Sequence, residues 1–114
     1  MNKNNLKIGF FLIFLFSAII QSKEVSISPS GNSPEEIQEA LILLKPGDTL
    51  ILREGIYSFE DGLSLDVDNV IVKGSGKDKT ILSFKNQVTG AQGLLVTSSG
   101  VVLKDFAIED AKGD

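Results

Sequence analysis

The alternation of apolar and polar residues divides the chain into three parts. An unbroken apolar run from Ile8 to Ile20 comes first, a helical pattern follows, and short aliphatic runs make up the rest. Lys3 and Lys7 precede the apolar run, which is too short for a membrane-spanning helix because spanning takes about 20 residues. Residues 1–22 are therefore predicted to be a secretory signal peptide, with an uncleaved membrane anchor as the alternative.

One amphipathic helix is predicted over residues 33–45. Ser33 is a favourable N-cap, and Glu36 completes the capping-box pattern three residues later. Aliphatic residues recur at helical spacing on one face, and Pro46-Gly47 ends the helix. The apolar face consists of Ile37, Ala40, Leu41 and Leu44. We expect this face to cover the open edge and apolar end of the first turn of strands.

From residue 48 onward, short aliphatic runs alternate with Gly, Asp, Asn and Ser, which predicts short strands. One more strand is predicted before the helix. The predicted strands are 25–27, 49–52, 63–67, 69–73, 80–84, 94–97, 101–103 and 106–108.

A seven-residue pattern occurs three times among these strands. Each copy has two polar or turn-forming residues, three aliphatic residues and one basic residue, and the copies are DTLILRE at 48–54, DNVIVKG at 68–74 and SGVVLKD at 99–105. Repeated strands joined by loops of variable length are typical of a solenoid whose successive turns pair in parallel. The predicted fold class is therefore all-β, a parallel β-helix, with a small β-sandwich as the alternative.

The stretch EEIQEALILLKPGDTLILREGIYSF, residues 35–59, resembles the entry segment of secreted right-handed parallel β-helix proteins, the pectate-lyase-like fold. In that family a helix is followed by Pro-Gly-Asp-Thr, an aliphatic strand and a Gly-x-Tyr turn, here 46–49, 50–52 and 55–57. The later stretch VIVKGSGKDKTILSF resembles the second turn of these proteins. The resemblance implies a right-handed parallel β-helix over residues 23–114, with the capping helix at its N-terminal end and the chain as the N-terminal part of a longer protein.

Proteins of this family include pectate and alginate lyases, uronate epimerases, glycoside hydrolases, adhesins and a periplasmic accessory protein, and the fold does not choose among them. The resemblance implies a carbohydrate-directed protein whose full-length form acts on an acidic polysaccharide as a lyase or epimerase. The alternative is a non-catalytic, adhesin-like or accessory solenoid. This chain alone is expected to be inactive, and further turns or a second copy are expected at its C-terminal end.

The composition of the chain limits the binding partners that can be expected. The chain has 11 basic and 15 acidic residues, and removing residues 1–22 leaves nine basic residues and a net charge of −6. Nucleic acid is therefore not an expected partner, and an acidic polysaccharide needs a local basic patch. The absence of cysteine excludes disulfides and thiolate metal sites. The expected localisation is secreted or periplasmic, with no membrane span after signal cleavage.

Two groups of residues are candidate sites, and no catalytic residue is assigned. The basic residues that close the repeats, Arg53, Lys73 and Lys104, are predicted to form a column that binds successive uronate carboxylates, since paired strands lie about 4.8 Å apart. The alternative is that they are solvated charges of little energetic value. Asp66 and Asp68 offer oxygen ligands for calcium, although Asp also favours turns and the glycine and distal glutamate of a calcium loop are missing. No other cofactor is evident.

Overall fold

The computed structural model describes residues 21–90 and 92–111, so residues 1–20 of the predicted signal peptide lie outside the described part. Within the described part, the chain forms one helix, α1, and nine strands. The elements are β1 Glu24–Ile27, α1 Ser33–Leu43, β2 Thr49–Leu52, β3 Gly55–Ser58, β4 Leu63–Leu65, β5 Ile71–Lys73, β6 Thr80–Ser83, β7 Leu94–Val96, β8 Val102–Lys104 and β9 Ala107–Glu109.

The strands form three sheets in which every pair is parallel. Their strand orders are β1-β2-β5-β8, β3-β6-β9 and β4-β7. The chain visits the three sheets in turn with β2, β3 and β4, and then adds β5, β6 and β7 to the same sheets in the same order. The predictions of a mostly β chain, parallel strand pairing and a helix between the first two strands are confirmed.

One predicted turn is a strand. The segment Gly55–Tyr57 was expected to turn, but Gly55–Ser58 pairs with β6 over its whole length, and the Gly55 N–H donates to the Lys79 carbonyl at 2.8 Å. Tyr57 is buried, whereas Ile56 on the outer face is 63% exposed. The outward aliphatic residue hides the alternation by which a strand is recognised in sequence.

The inward side chains form apolar columns that run across each sheet. In the first sheet, Leu50, Val72 and Leu103 pair in register, and their exposed fractions rise from 0 to 4 to 41%. In the second sheet, Tyr57, Leu82 and Ile108 pair in register, and their exposed fractions rise in the same way from 0 to 2 to 40%. The core is therefore closed around β2 and β3 and open beside β8 and β9.

Two aromatic rings extend the core between successive turns. Phe59 follows β3 and Phe84 follows β6, both are buried, and their rings stack with centroids 4.9 Å apart and planes 15° apart. The paired register of Ser58 and Ser83 places the two rings one above the other. Stacking of this kind adds about 0.5–1.5 kcal/mol to the burial of the rings.

A left-handed residue marks the same corner in three successive turns. Gly47, Asn69 and Gly100 have φ values of 97°, 58° and 70°, and each lies two residues before a position of the paired register. The Gly47 N–H donates to the Asn69 carbonyl at 2.6 Å, and the Asn69 N–H donates to the Ser99 carbonyl at 2.9 Å. Glycine and asparagine are the residues that adopt this conformation at least cost, which explains their recurrence before β2, β5 and β8.

The start of α1 differs from the prediction. The N-cap is Asn32, which makes no side-chain capping bond, and the Ser33 hydroxyl instead donates to the Ser30 carbonyl at 2.9 Å. The predicted capping box between Ser33 and Glu36 is therefore wrong, because the loop before the helix uses the Ser33 hydroxyl. The helix ends at Leu43, two residues earlier than predicted.

The helix closes the N-terminal end of the core as predicted. Ile37, Leu41 and Leu44 are buried, and α1 contacts β1, β3 and β4. Gln38, which is not part of the predicted apolar face, pairs with the backbone of β4. The Ser64 N–H donates to Gln38 Oε1 at 3.0 Å, and Gln38 Nε2 donates to the Ser64 carbonyl at 3.1 Å. The side-chain amide thus satisfies the backbone edge of β4 that faces the helix.

Asp48 joins the ends of two other elements to β2. Its buried carboxylate accepts the Lys45 N–H at 2.9 Å and the Lys23 N–H at 3.0 Å. These two backbone hydrogen bonds lower the pKa of the Asp48 carboxyl below its ordinary value, and the bond from Lys45 has the larger effect. The chain after α1 and the chain before β1 are therefore held by one side chain.

The aromatic stack predicts a large loss of stability in a truncation variant. Phe84→Ala is expected to lower the free energy of unfolding by about 3–5 kcal/mol, because it removes a buried ring and leaves a cavity against Phe59. Urea unfolding followed by circular dichroism measures this change. Val88→Ala is the control, since Val88 is 79% exposed, and its effect should stay within about 0.5 kcal/mol. Equal effects of the two variants would contradict the stack.

The Asp48 clamp predicts a pH-dependent contribution to stability. The folded pKa lies below the unfolded one, so the contribution is present above the unfolded pKa and is lost as the pH falls through the folded pKa. Asp48→Asn should therefore lower stability at neutral pH, and its difference from the wild type should narrow below about pH 4. Thermal melts across this range test it, with Asp78→Asn as the exposed control. A difference that is independent of pH would refute the role of the charge.

Candidate functional site

Two of the three basic residues that were predicted to form a column lie side by side on the outer face of the first sheet. Lys73 and Lys104 pair directly in the register of β5 and β8. Their neighbours Val72 and Leu103 belong to the inward column, and successive strand residues point to opposite faces, so both lysines point outward. Paired strands lie about 4.8 Å apart, which sets the spacing of the two side chains where they leave the backbone. We call Lys73 and Lys104 the lysine pair.

Arg53 does not continue the lysine pair. The residue that pairs with Lys73 in β2 is Ile51, and Arg53 lies two positions further along the chain, after β2 has ended. The predicted column of three basic residues is therefore wrong in its first member. The sequence repeat aligned Arg53 with Lys73 because it matched Asp48 to Asp68, whereas the structure pairs Thr49 with Ile71.

The surroundings of the lysine pair are aliphatic on one side. Ile71 and Val102 pair in register two residues before the lysines on the same outer face, and Val102 is 46% exposed. Within the described part of the chain, neither lysine forms an ion pair with a carboxylate. The pair therefore presents two positive charges beside an apolar strip, an arrangement suited to a ligand with anionic groups and an apolar face.

Asp66 and Asp68 both accept hydrogen bonds from the following turn of the chain. Asp66 Oδ1 accepts the Thr97 hydroxyl at 2.8 Å, and Asp68 Oδ1 accepts the Ser99 N–H at 2.9 Å. Both carboxylates are exposed, and they lie two residues apart where the chain leaves β4. The described residues contain no group of three or more acidic side chains arranged to hold a metal ion.

Tyr57 is placed where it stabilises a corner. Its ring is buried, and its hydroxyl donates to the Arg53 carbonyl at 2.7 Å and lies 3.0 Å from the Ile27 carbonyl. Burial raises the pKa of the phenol above its ordinary value. A phenol that is buried, protonated and already donating cannot accept a proton from a substrate, so Tyr57 belongs to the scaffold.

A cleft of about 360 Å³ beside α1 was not predicted from the sequence. It lies between the start of the helix and the corner that joins β3 to β4. Glu35, Glu60 and Asp61 are among its lining residues, and Asp61 also accepts a hydrogen bond from the Thr89 hydroxyl. The segments that form the cleft are far apart in the sequence, and no local sequence pattern predicts that they lie close together.

Comparisons with family models, curated proteins and solved structures found no match to this chain. Across residues 21–90 and 92–111, no helix has the length and apolar character needed to cross a membrane.

The position of Tyr57 predicts that its hydroxyl contributes stability rather than chemistry. Tyr57→Phe should lower the free energy of unfolding by about 1–2 kcal/mol, because the buried Ile27 carbonyl and the partly buried Arg53 carbonyl lose their shared donor. Chemical unfolding of the wild type and the variant measures this change. Ligand binding by the folded variant should match that of the wild type, and selective loss of binding at unchanged stability would place Tyr57 in the site instead.

Proposed function

We propose that this chain forms the entry turns of an exported, right-handed parallel β-helix protein that is directed at an acidic polysaccharide. The parallel pairing and the return of the chain to the same three sheets support the fold. The resemblance of residues 35–59 to the entry segment of such proteins supports the handedness and the export. Further turns, or a second copy, complete the open end beside β8 and β9.

The observation that carries the proposed ligand is the lysine pair. Lys73 and Lys104 leave adjacent strands at paired positions, point outward and have no carboxylate partner among the described residues. A uronate polymer supplies carboxylates at regular intervals, and two ammonium groups on neighbouring strands bind two of them. Ile71 and Val102 supply an apolar surface for the less polar face of a sugar ring. The overall charge of the chain is negative, so the pair acts locally and over short distances.

The reaction class of the full-length protein is a lyase or epimerase. Both reactions remove the proton next to a uronate carboxylate, and neutralisation of that carboxylate lowers the cost of removing it. The alternative is a non-catalytic binding solenoid. The burial of Tyr57 favours this alternative for the present turns, because the chain has no histidine and no other tyrosine to serve as a base near neutral pH.

The proposal predicts that binding of polyuronate depends on the lysine pair. The wild-type chain should bind polygalacturonate or alginate, and Lys73→Gln with Lys104→Gln should weaken binding about tenfold or more, because two charge-assisted contacts are lost. Isothermal titration at two salt concentrations measures the affinity, which should fall as salt rises. Lys45→Gln with Lys85→Gln is the control, since it removes the same charge at exposed positions away from the pair.

A product assay with the full-length protein separates the alternatives. Release of unsaturated uronate ends, followed by ultraviolet absorbance, would identify a lyase. A changed uronate composition of the polymer without such ends would identify an epimerase, and binding with neither change would identify a binding solenoid. Equal losses in the two double variants would mean that net charge alone controls binding and would overturn the proposed site. Repeating the titration with calcium and with a chelator, on the wild type and on Asp66→Asn with Asp68→Asn, tests the two aspartates as a calcium site.

A further inference from the structure

Among the described residues, the strand β1 is paired along one edge, to β2, and its other edge is open. The Thr49 N–H donates to the Lys23 carbonyl at 3.0 Å, and the Arg53 N–H donates to the Ile27 carbonyl at 2.9 Å. In a parallel pair, alternate residues of a strand direct their backbone groups to the same neighbour. The backbone groups of Glu24 and Ser26 therefore point away from β2, toward the helix-covered end of the core.

A groove of about 330 Å³ lies along this open edge. Its strand side includes Val25, Ser26 and Ile27, and its helix side includes Ala40 and Leu43. The helix therefore covers the apolar end of the core without filling the space beside β1. The edge of β4 that faces the helix is not open, because the Gln38 side-chain amide forms hydrogen bonds with its backbone.

The charges around the groove favour a basic ligand. Glu36 and Glu39 line its helix side, and Glu24 is exposed on the strand itself. Among the described residues that line the groove, Lys23 is the only basic one. Leu43 adds an apolar wall that is 61% exposed. An occupant thus meets an unpaired strand edge, an apolar floor and a row of carboxylates.

We propose that the open edge of β1 accepts, as an added strand, an extended peptide in which basic and apolar residues alternate. The peptide backbone pairs with Glu24 and Ser26, and its apolar side chains face Val25, Ala40 and Leu43. Its basic side chains lie on the opposite face beside the exposed Glu24, within the negative potential of Glu36 and Glu39. Main-chain pairing supplies the affinity, and the alternation supplies the specificity. This site lies at the helix-covered end of the first sheet and is independent of the lysine pair.

A labelled, capped peptide of alternating lysine and valine is the probe, and fluorescence anisotropy with the full 114-residue chain measures its binding. Ser26→Pro removes an outward N–H without touching the hydrogen bonds to β2, so binding should weaken about tenfold, whereas the matched variant Ser26→Ala should bind like the wild type. Glu36→Gln with Glu39→Gln should weaken binding about fivefold at low salt and less at high salt.

Three results would overturn the proposal. Equal binding by the proline and alanine variants would show that charge alone attracts the peptide. Equal binding of an alternating glutamate and valine peptide would remove the role of the helix carboxylates. Concentration-dependent self-association that Ser26→Pro abolishes, without peptide binding, would assign the edge to a second copy of the chain. Retained circular dichroism and unchanged polyuronate binding by Ser26→Pro exclude misfolding and keep this test separate from that of the lysine pair.

Discussion

The parallel pairing of each strand with a counterpart 22 to 31 residues away is the constraint on which the rest of the structure depends. A short strand of three or four residues contributes little alone, and it is held because the strands paired with it use its backbone groups. The chain must therefore return to the same place and direction after every circuit. The left-handed corner at Gly47, Asn69 and Gly100 makes that return reproducible, because the same bend precedes three strands of the first sheet.

Parallel pairing in register also decides what the surface looks like. Positions that pair across a sheet point to the same side, so a residue type that recurs at a paired position becomes a column. Inward, this produces the aliphatic columns and the stacked Phe59 and Phe84. Outward, it brings Lys73 and Lys104 together and sets Ile71 beside Val102. The candidate binding surface and the core are thus two consequences of one register.

The sequence predicted the kinds of elements better than their alignment. The strand at 49–52 was predicted with its observed bounds, since a buried aliphatic run there follows Pro-Gly-Asp. The strand β3 was missed because Ile56 faces solvent and masks the alternation. Arg53 was misplaced because the aspartates of the repeats look equivalent, whereas the left-handed residues before the strands are what align. The pairing of Lys73 with Lys104 was predicted correctly, because those two copies share the same spacing from corner to strand.

The groove beside β1 and the cleft beside the start of α1 could not be predicted in this way. Both depend on how far the helix lies from strands to which it is joined by loops, and no periodicity in the sequence encodes that distance. The pairing of Gln38 with Ser64 is of the same kind, because it joins residues 26 positions apart through a single side chain. Gln38 lies outside the predicted apolar face of the helix, and only the position of the helix over β4 gives its amide a partner.

Paired strands are separated by unequal numbers of residues in the sequence, and this affects how such a chain can evolve. The spacing is 25 between β3 and β6 but 31 between β4 and β7, and the additional residues lie in the loop from Lys85 to Gly93 without altering either register. Closing a longer loop costs little, since each doubling of its length adds only about 0.6 kcal/mol. This loop is therefore a place where the chain can gain or lose segments while the ladders stay intact. New surface can arise at that corner without a compensating change in the scaffold.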